Sequence, residues 1–244
     1  MNTEGFEKLK AYTDTLLYLL INAYARLLFL RPMMVNETLI SRVDAEGGQQ
    51  GFQQLRNILY WDFINELVKI CDDKGDRTPS IRRLTKDIED PSLRNLLEEK
   101  YMAVRSGFDD ENEWKIEYRK ILDRIGENTE KLLISTAYPG YKTIRDSLIA
   151  HTDLRKTGSE YLRLNIQPLG LKHGDELEVL NLVTTIVDDL NLAIRSASFS
   201  WSLFLEPEVK TVCKFWKIAQ IEPNGSDKQY PWTPFGALRK NGSF

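Results

Sequence analysis

Apolar residues spaced three and four apart recur along nearly the whole chain, and this spacing limits the fold more than any other feature. Leu55, Ile58, Leu59, Phe63, Leu67 and Ile70 form one such series, and Leu180, Val183, Ile186, Val187, Leu190 and Ile194 form another. Period-two alternation, the mark of a half-buried strand, is confined to Leu162, Leu164 and Ile166 set between Arg163, Asn165 and Gln167. The expectation is an all-α helical bundle with one short extended insertion. At 244 residues and 42% hydrophobic content the chain can bury a normal core. We expect a helical domain over residues 1–206 and a C-terminal extension and tail over 207–244.

Start and stop signals divide the pattern into elements. The first helix is expected over residues 4–30, ending at Arg31-Pro32 because proline disfavours helix at the residue before it, with a polar loop after it. A second helix is expected over 52–71. Thr78-Pro79 reads as the cap of a short helix carrying Ile81, Leu84 and Ile88, and Asp90-Pro91 starts another. A long helix over 110–135 should bury Trp114, Ile116, Tyr118, Ile121, Leu122 and Ile125. Pro139-Gly140 is expected to break the chain before a helix over 141–154, followed by the extended insertion over 155–175. Asp175 and Glu178 have the spacing of a capping box for a last long helix reaching about residue 205 and apolar nearly all round.

Charge and cysteine content remove several classes. A net charge of −3 with 28% charged residues does not describe a basic nucleic-acid coat, so any basic surface must be local or built by assembly. Cys71 and Cys213 lie far apart without a CxxC pair, which excludes a zinc ribbon or disulfide scaffold and points to free thiols in a reducing, cytoplasmic setting. The apolar run from Leu16 to Leu30 is short for a bilayer span and contains Asn22 and Arg26; neither a membrane partner nor a signal peptide is expected. No metal ligand set, Gly-rich phosphate loop or other cofactor motif is present in the sequence, so no metal and no cofactor are expected.

The candidate site lies in Ile144-Arg145-Asp146-Ser147-Leu148-Ile149-Ala150-His151-Thr152-Asp153. The chain has only two histidines, His151 and His173, and the first follows Arg145 by six residues. An imidazole moves protons near neutral pH, and a guanidinium neutralises charge building on phosphate. On a regular helix the two residues stand about 120° apart and about 9 Å along the axis, a gap a long arginine side chain bridges. Thr143, Ser147 and His151 share one stripe, while Ile144 and Leu148 face the core. The plainer reading is that His151 caps a helix C-terminus and Arg145 is a surface cation.

This segment resembles the R-x(4–6)-H motif of the HEPN superfamily, in which a polar residue, here Asp146, follows the arginine. Two further blocks, Leu59-Tyr60-Trp61-Asp62-Phe63-Ile64-Asn65-Glu66-Leu67-Val68-Lys69-Ile70-Cys71-Asp72-Asp73 and Ser80-Ile81-Arg82-Arg83-Leu84, are similar to the AbiU-like branch associated with phage abortive infection. The likeness covers about residues 1–205. It implies a HEPN-like helical bundle and a homodimer that brings two Arg–His pairs into one cleft. It also implies a metal-independent endoribonuclease, a toxin acting on RNA. Carried over, Arg145 and His151 would be catalytic with Asp146 in support; beside them, Ser147 and, in a basic cleft built by pairing, Arg155 and Lys156 are the candidate RNA contacts. An antitoxin or regulatory protein is a partner class the resemblance leaves open. Many HEPN toxins carry a modifiable tyrosine two residues after the histidine; here that position is Asp153, which argues against control by a nucleotidyltransferase partner. The alternative is a non-catalytic HEPN-like module that binds RNA, nucleotide or protein, and a third reading is a helical scaffold.

The remaining constellations read structurally. Adjacent acids on a helix diverge by about 100°, so Asp188-Asp189 suits a helix–helix contact better than a metal. Asp72-Asp73-Lys74-Gly75-Asp76 lacks the final glutamate of a calcium loop and reads as a turn. Arg82 and Arg83, near Lys86, could touch RNA but read better as a solvated helix start, and Trp201, Phe204 and Trp216 read as core.

Overall fold

The computed structural model describes residues 3–72, 75, 78–105, 111–150, 154–157, 160–163, 166–172 and 174–219. Helices dominate: α1 (Thr3–Val35), α2 (Glu37–Ala45), α3 (Gln49–Asp72), α4 (Ile81–Ile88), α5 (Pro91–Arg105), α6 (Glu111–Ile134), α7 (Ala137–Ile144), α8 (Asp175–Arg195) and α9 (Trp201–Trp216). A π-helical turn, Arg145–Ala150, continues α7. The insertion is an antiparallel hairpin of β1 (Leu154–Thr157) and β2 (Glu160–Arg163), pairing Arg155 with Leu162 and Lys156 with Tyr161. The all-α class is therefore established.

The chain packs as two units. The first takes the chain through Leu20 and then Asn65–Phe199; the second takes Ile21–Ile64 and the chain from Ser200. In the first unit α6 and α8 lie along each other, with α4 and α5 against α6. Val183, Ile186, Val187 and Leu190 of α8 are completely buried, as its all-round apolar pattern demands. The α6–α8 contact includes one charged clamp. Arg124 donates to both carboxylate oxygens of Asp189, at 3.1 and 2.6 Å, so the helix–helix reading of that acid holds. Tyr101 of α5 and Tyr118 of α6 meet at 4.8 Å between ring centroids, and a hydrogen bond of 3.1 Å joins the Thr85 and Thr129 hydroxyls of α4 and α6. In the second unit Trp201 packs on Tyr24 at 5.0 Å, Phe215 on Phe29 at 5.4 Å and Trp216 on Phe52 at 5.8 Å. Trp201 is core as expected, whereas Phe204 and Trp216 are only partly covered.

Several boundaries differ from the sequence reading, each for a local reason. Helix α1 runs on through Pro32 to Val35 because Leu30, Arg31 and Met33 are wholly buried, and that packing outweighs the lost backbone bond. The loop expected next is the helix α2, started by Asn36, whose side chain accepts from the Leu39 N–H at 2.7 Å. Ser80, not Thr78, caps α4. Ile116 is not core but 53% exposed. The capping box at the head of α8 does not form: Gly174 holds the cap position at φ 107°, and Glu176 accepts from its N–H at 2.9 Å. Helix α8 stops at Arg195, where Ser196 turns left-handed, and α9 is a separate helix that runs unbroken across residues 206 and 207.

Helix α1 is long and apolar enough to cross a membrane, with a mean hydropathy of 1.3 over its best window, so the short run read from sequence understates it. More than half of that window, 56%, is covered by the rest of the chain, as in the core helix of a folded protein.

The clamp between α6 and α8 yields a stability prediction. Asp189 is 7% exposed, so Arg124→Met strands a covered carboxylate. Because Arg124 itself is half exposed, the expected loss is about 2 kcal/mol, or roughly 4–8 °C in Tm. The double variant Arg124→Met with Asp189→Leu should recover most of it. Thermal unfolding followed by circular dichroism checks both, and an unchanged Tm in the single variant would remove the clamp from the argument.

Candidate functional site

Helix α7 is anchored before it reaches the motif. Ser135 accepts from the Tyr138 N–H at 3.1 Å, satisfying one of the free donors of the first turn. Pro139 is tolerated there because first-turn N–H groups have no helical partner, so Pro139-Gly140 lies inside the helix instead of breaking it. Gly140 is required by close approach: a Cβ would sit 2.9 Å from Leu171 Cδ2 and 3.1 Å from its Cγ. Tyr138, Tyr141 and Ile144 are buried, so the short helix is held along a whole face.

At Arg145 the hydrogen-bond pattern changes from i→i+4 to i→i+5, and the motif occupies a π-turn through Ala150. The wider turn breaks the stripe expected from an α-helical period. Thr143 remains partly exposed and Ile144 is core, but Ser147 turns inward and is 7% exposed. Arg145 is mostly covered, with its side chain 14% exposed, and its Nε donates to Asp146 Oδ1 at 2.5 Å. Arg145 and Asp146, expected in a shared role, are thus in direct contact, with Asp146 the more open at 46%. Arg155 and Lys156 lie on β1, where the backbone alone is described. His151 lies outside the described residues, as do His173 and Asp153.

Three charged residues that the sequence reading did not assign to the site stand beside this turn. Asp72, the last residue of α3, is almost completely buried and takes a bond from Lys142 Nζ of α7 and another from Arg82 NH1 of α4, the latter at 3.2 Å. Burial works to raise the Asp72 carboxyl, but the hydrogen bonds and charges of Lys142 and Arg82 outweigh it and hold the group below its ordinary value of 3.8. Asp72 closes α3 as a buried carboxylate instead of opening a turn, and Arg82, exposed at the start of α4 as the sequence suggests, reaches back to pair with it. The cluster joins residues ten and seventy positions apart, which no periodic pattern signals.

Beneath it lie two neutral groups. Burial, reinforced by the Asp72 charge, pushes the Cys71 thiol well above its usual range, so it stays protonated. Burial likewise raises Tyr138, with Cys71 and Asp72 adding to the effect and Arg145 opposing it. The Tyr138 hydroxyl is buried and has no hydrogen-bond partner among the described residues. The arginine of the motif and the Asp72 cluster therefore act on the same tyrosine. Among the described residues no three His, Cys, Asp or Glu side chains come together in a way that could hold a metal ion.

The sequence model of AbiU2, a HEPN family, matches residues 6–213, across both the motif turn and the Asp72 cluster. The chain belongs to the AbiU2 family of HEPN domains. It is thus an AbiU-like HEPN domain related to abortive infection, as the arginine–histidine spacing and the two preceding blocks suggest. No curated protein and no solved structure matches the chain.

The Asp72 cluster predicts an acid-sensitive contribution to stability. A carboxyl depressed in the fold is stabilising above its unfolded value, near 3.8, and the contribution fades as pH falls through the lower folded value. Asp72→Asn should therefore cost about 2 kcal/mol at pH 7, and the gap to the native protein should narrow as pH falls below the ordinary carboxyl value of 3.8. Urea unfolding across a pH series from 7 downward measures this. A gap that is constant with pH would assign the loss to packing instead.

Proposed function

We propose that the protein is a metal-independent endoribonuclease, a toxin of abortive-infection phage defence that acts on cytoplasmic RNA as a homodimer. The observation that carries this reading is Arg145 itself: a largely covered guanidinium, oriented by Asp146, on a firmly anchored helix six residues ahead of His151. Orientation by a neighbouring carboxylate reduces the freedom the guanidinium must give up when it meets phosphate. In the reaction His151 takes the proton from a ribose 2′-OH, the 2′-oxygen attacks the adjacent phosphorus, and the 5′-oxygen leaves with a proton. Arg145 stabilises the charge on the pentacovalent phosphate. The 2′-OH requirement restricts cleavage to RNA. Two-fold pairing supplies one imidazole as base and the other as acid. It also brings Arg145, Arg155 and Lys156 of two chains to one cleft, which reconciles RNA binding with an acidic chain.

One observation favours a second reading, a non-catalytic module binding RNA, nucleotide or protein. Arg145 is 14% exposed and already paired, so a single chain offers phosphate little of it. Arg145 gives Asp146 its Nε, so in the enzyme its remaining N–H donors must be opened to phosphate, whereas in the binding module they stay covered.

The deciding measurement is cleavage of a mixed RNA pool by purified protein in excess EDTA. The native protein should leave 2′,3′-cyclic phosphate or 3′-phosphate ends. His151→Ala and Arg145→Ala should each reduce the rate by about 10²–10⁴-fold without loss of helicity. A folded, dimeric native protein that leaves the pool intact would favour the binding module.

A further inference from the structure

Asp72 gathers cations from two separate elements, Arg82 from the first turn of α4 and Lys142 from the last turn of α7. One carboxylate balances one of them. Adding the neighbouring pair gives three cations, Arg82, Lys142 and Arg145, against two carboxylates, Asp72 and Asp146, and so one positive charge in excess. All five belong to the same packed unit. Lys142 precedes Arg145 by three residues, close to the junction of α7 with the π-turn. The two carboxylates differ in accessibility. Asp72 is sealed at 6% side-chain exposure and Asp146 is open at 46%, while Arg82, the partner of the sealed one, stays 61% exposed. A guanidinium with five N–H donors that gives one to Asp72 keeps others for an anion arriving from solvent. Held at one end by a buried partner, it also loses less freedom on binding than an unrestrained surface arginine.

We infer that Arg82 and Lys142 form a phosphate-binding subsite beside Arg145, which holds a phosphodiester of the bound RNA strand adjacent to the one that is cleaved. The inference rests on the ribonuclease reading and names a part of that site that the motif does not contain. Arg82 is the residue to test, because its exposure lets it change without opening the core.

The experiment measures binding of a short, fully 2′-O-methylated RNA oligonucleotide, which lacks the attacking hydroxyl, across a salt series, beside cleavage of unmodified RNA by the same preparations. Arg82→Gln should weaken binding about three- to tenfold at low salt and reduce the slope of log affinity against log salt by about 0.7, the loss of one phosphate contact on a single strand. Arg82→Lys, which keeps the charge, should retain most of the slope. Arg119→Gln removes a comparably exposed arginine on α6 (64%) and should leave affinity and slope unchanged. If native protein binds and cleaves but Arg82→Gln keeps its affinity and slope, the subsite is wrong and the ribonuclease reading stands. If Arg119→Gln matches Arg82→Gln, the effect is diffuse charge and the subsite is again wrong. If native protein neither binds the probe nor cleaves RNA, the ribonuclease reading fails and the subsite falls with it.

Discussion

The buried carboxylate of Asp72 organises the region around the motif. It ends α3 in a position closed to solvent, where an unpaired charge would be strongly unfavourable. The fold satisfies it from two directions, with Lys142 of α7 and Arg82 of α4. Three elements that share no sequence periodicity are thereby fixed around one atom group. Because Lys142 stands three residues before Arg145, the same contact sets where the motif begins. Cys71 and Tyr138, kept neutral by burial beneath it, complete a floor that no exposed loop could provide.

On that floor the chain changes helical type. A π-turn is rare and tends to mark functional positions, since it moves side chains out of the phase that packing alone would select. Here it coincides with Arg145–Ala150. Its effect is visible in Ser147, which turns inward, and in Arg145, which is covered and bound to Asp146. In the proposed reaction this pair has a clear role: Asp146 holds the guanidinium by its Nε and keeps it oriented while its other donors meet phosphate. The same pair also explains why a binding module is the competing reading.

Farther from the motif the first unit is built in a more ordinary way. Helix α8 buries an apolar face against α6, and Asp189, a buried charge of that helix, is answered by a two-pronged bond from Arg124. Helix α7 needs room beside Leu171, and Gly140 supplies it by having no side chain. These features give the motif helix a rigid backing, which a site that must orient a phosphate requires.

The sequence by itself determined the class of the fold and the place of the motif. Both are written in local patterns: apolar residues at three and four specify helices wherever they recur, and Arg145, Asp146 and His151 stand within seven residues of one another. Helix ends were less legible, because packing decided them. Buried neighbours carried α1 through Pro32, and a left-handed Ser196 separated α8 from α9. Only the tertiary structure decided the surroundings of the site. The bond from Lys142 to Asp72 spans seventy positions and that from Arg82 spans ten, so neither leaves a periodic trace. The inward turn of Ser147 depends on a helical type that residue spacing does not encode. Burial and charge pairing are properties of the assembled chain, and these decided which of its many ordinary arginines, lysines and aspartates stand beside the motif.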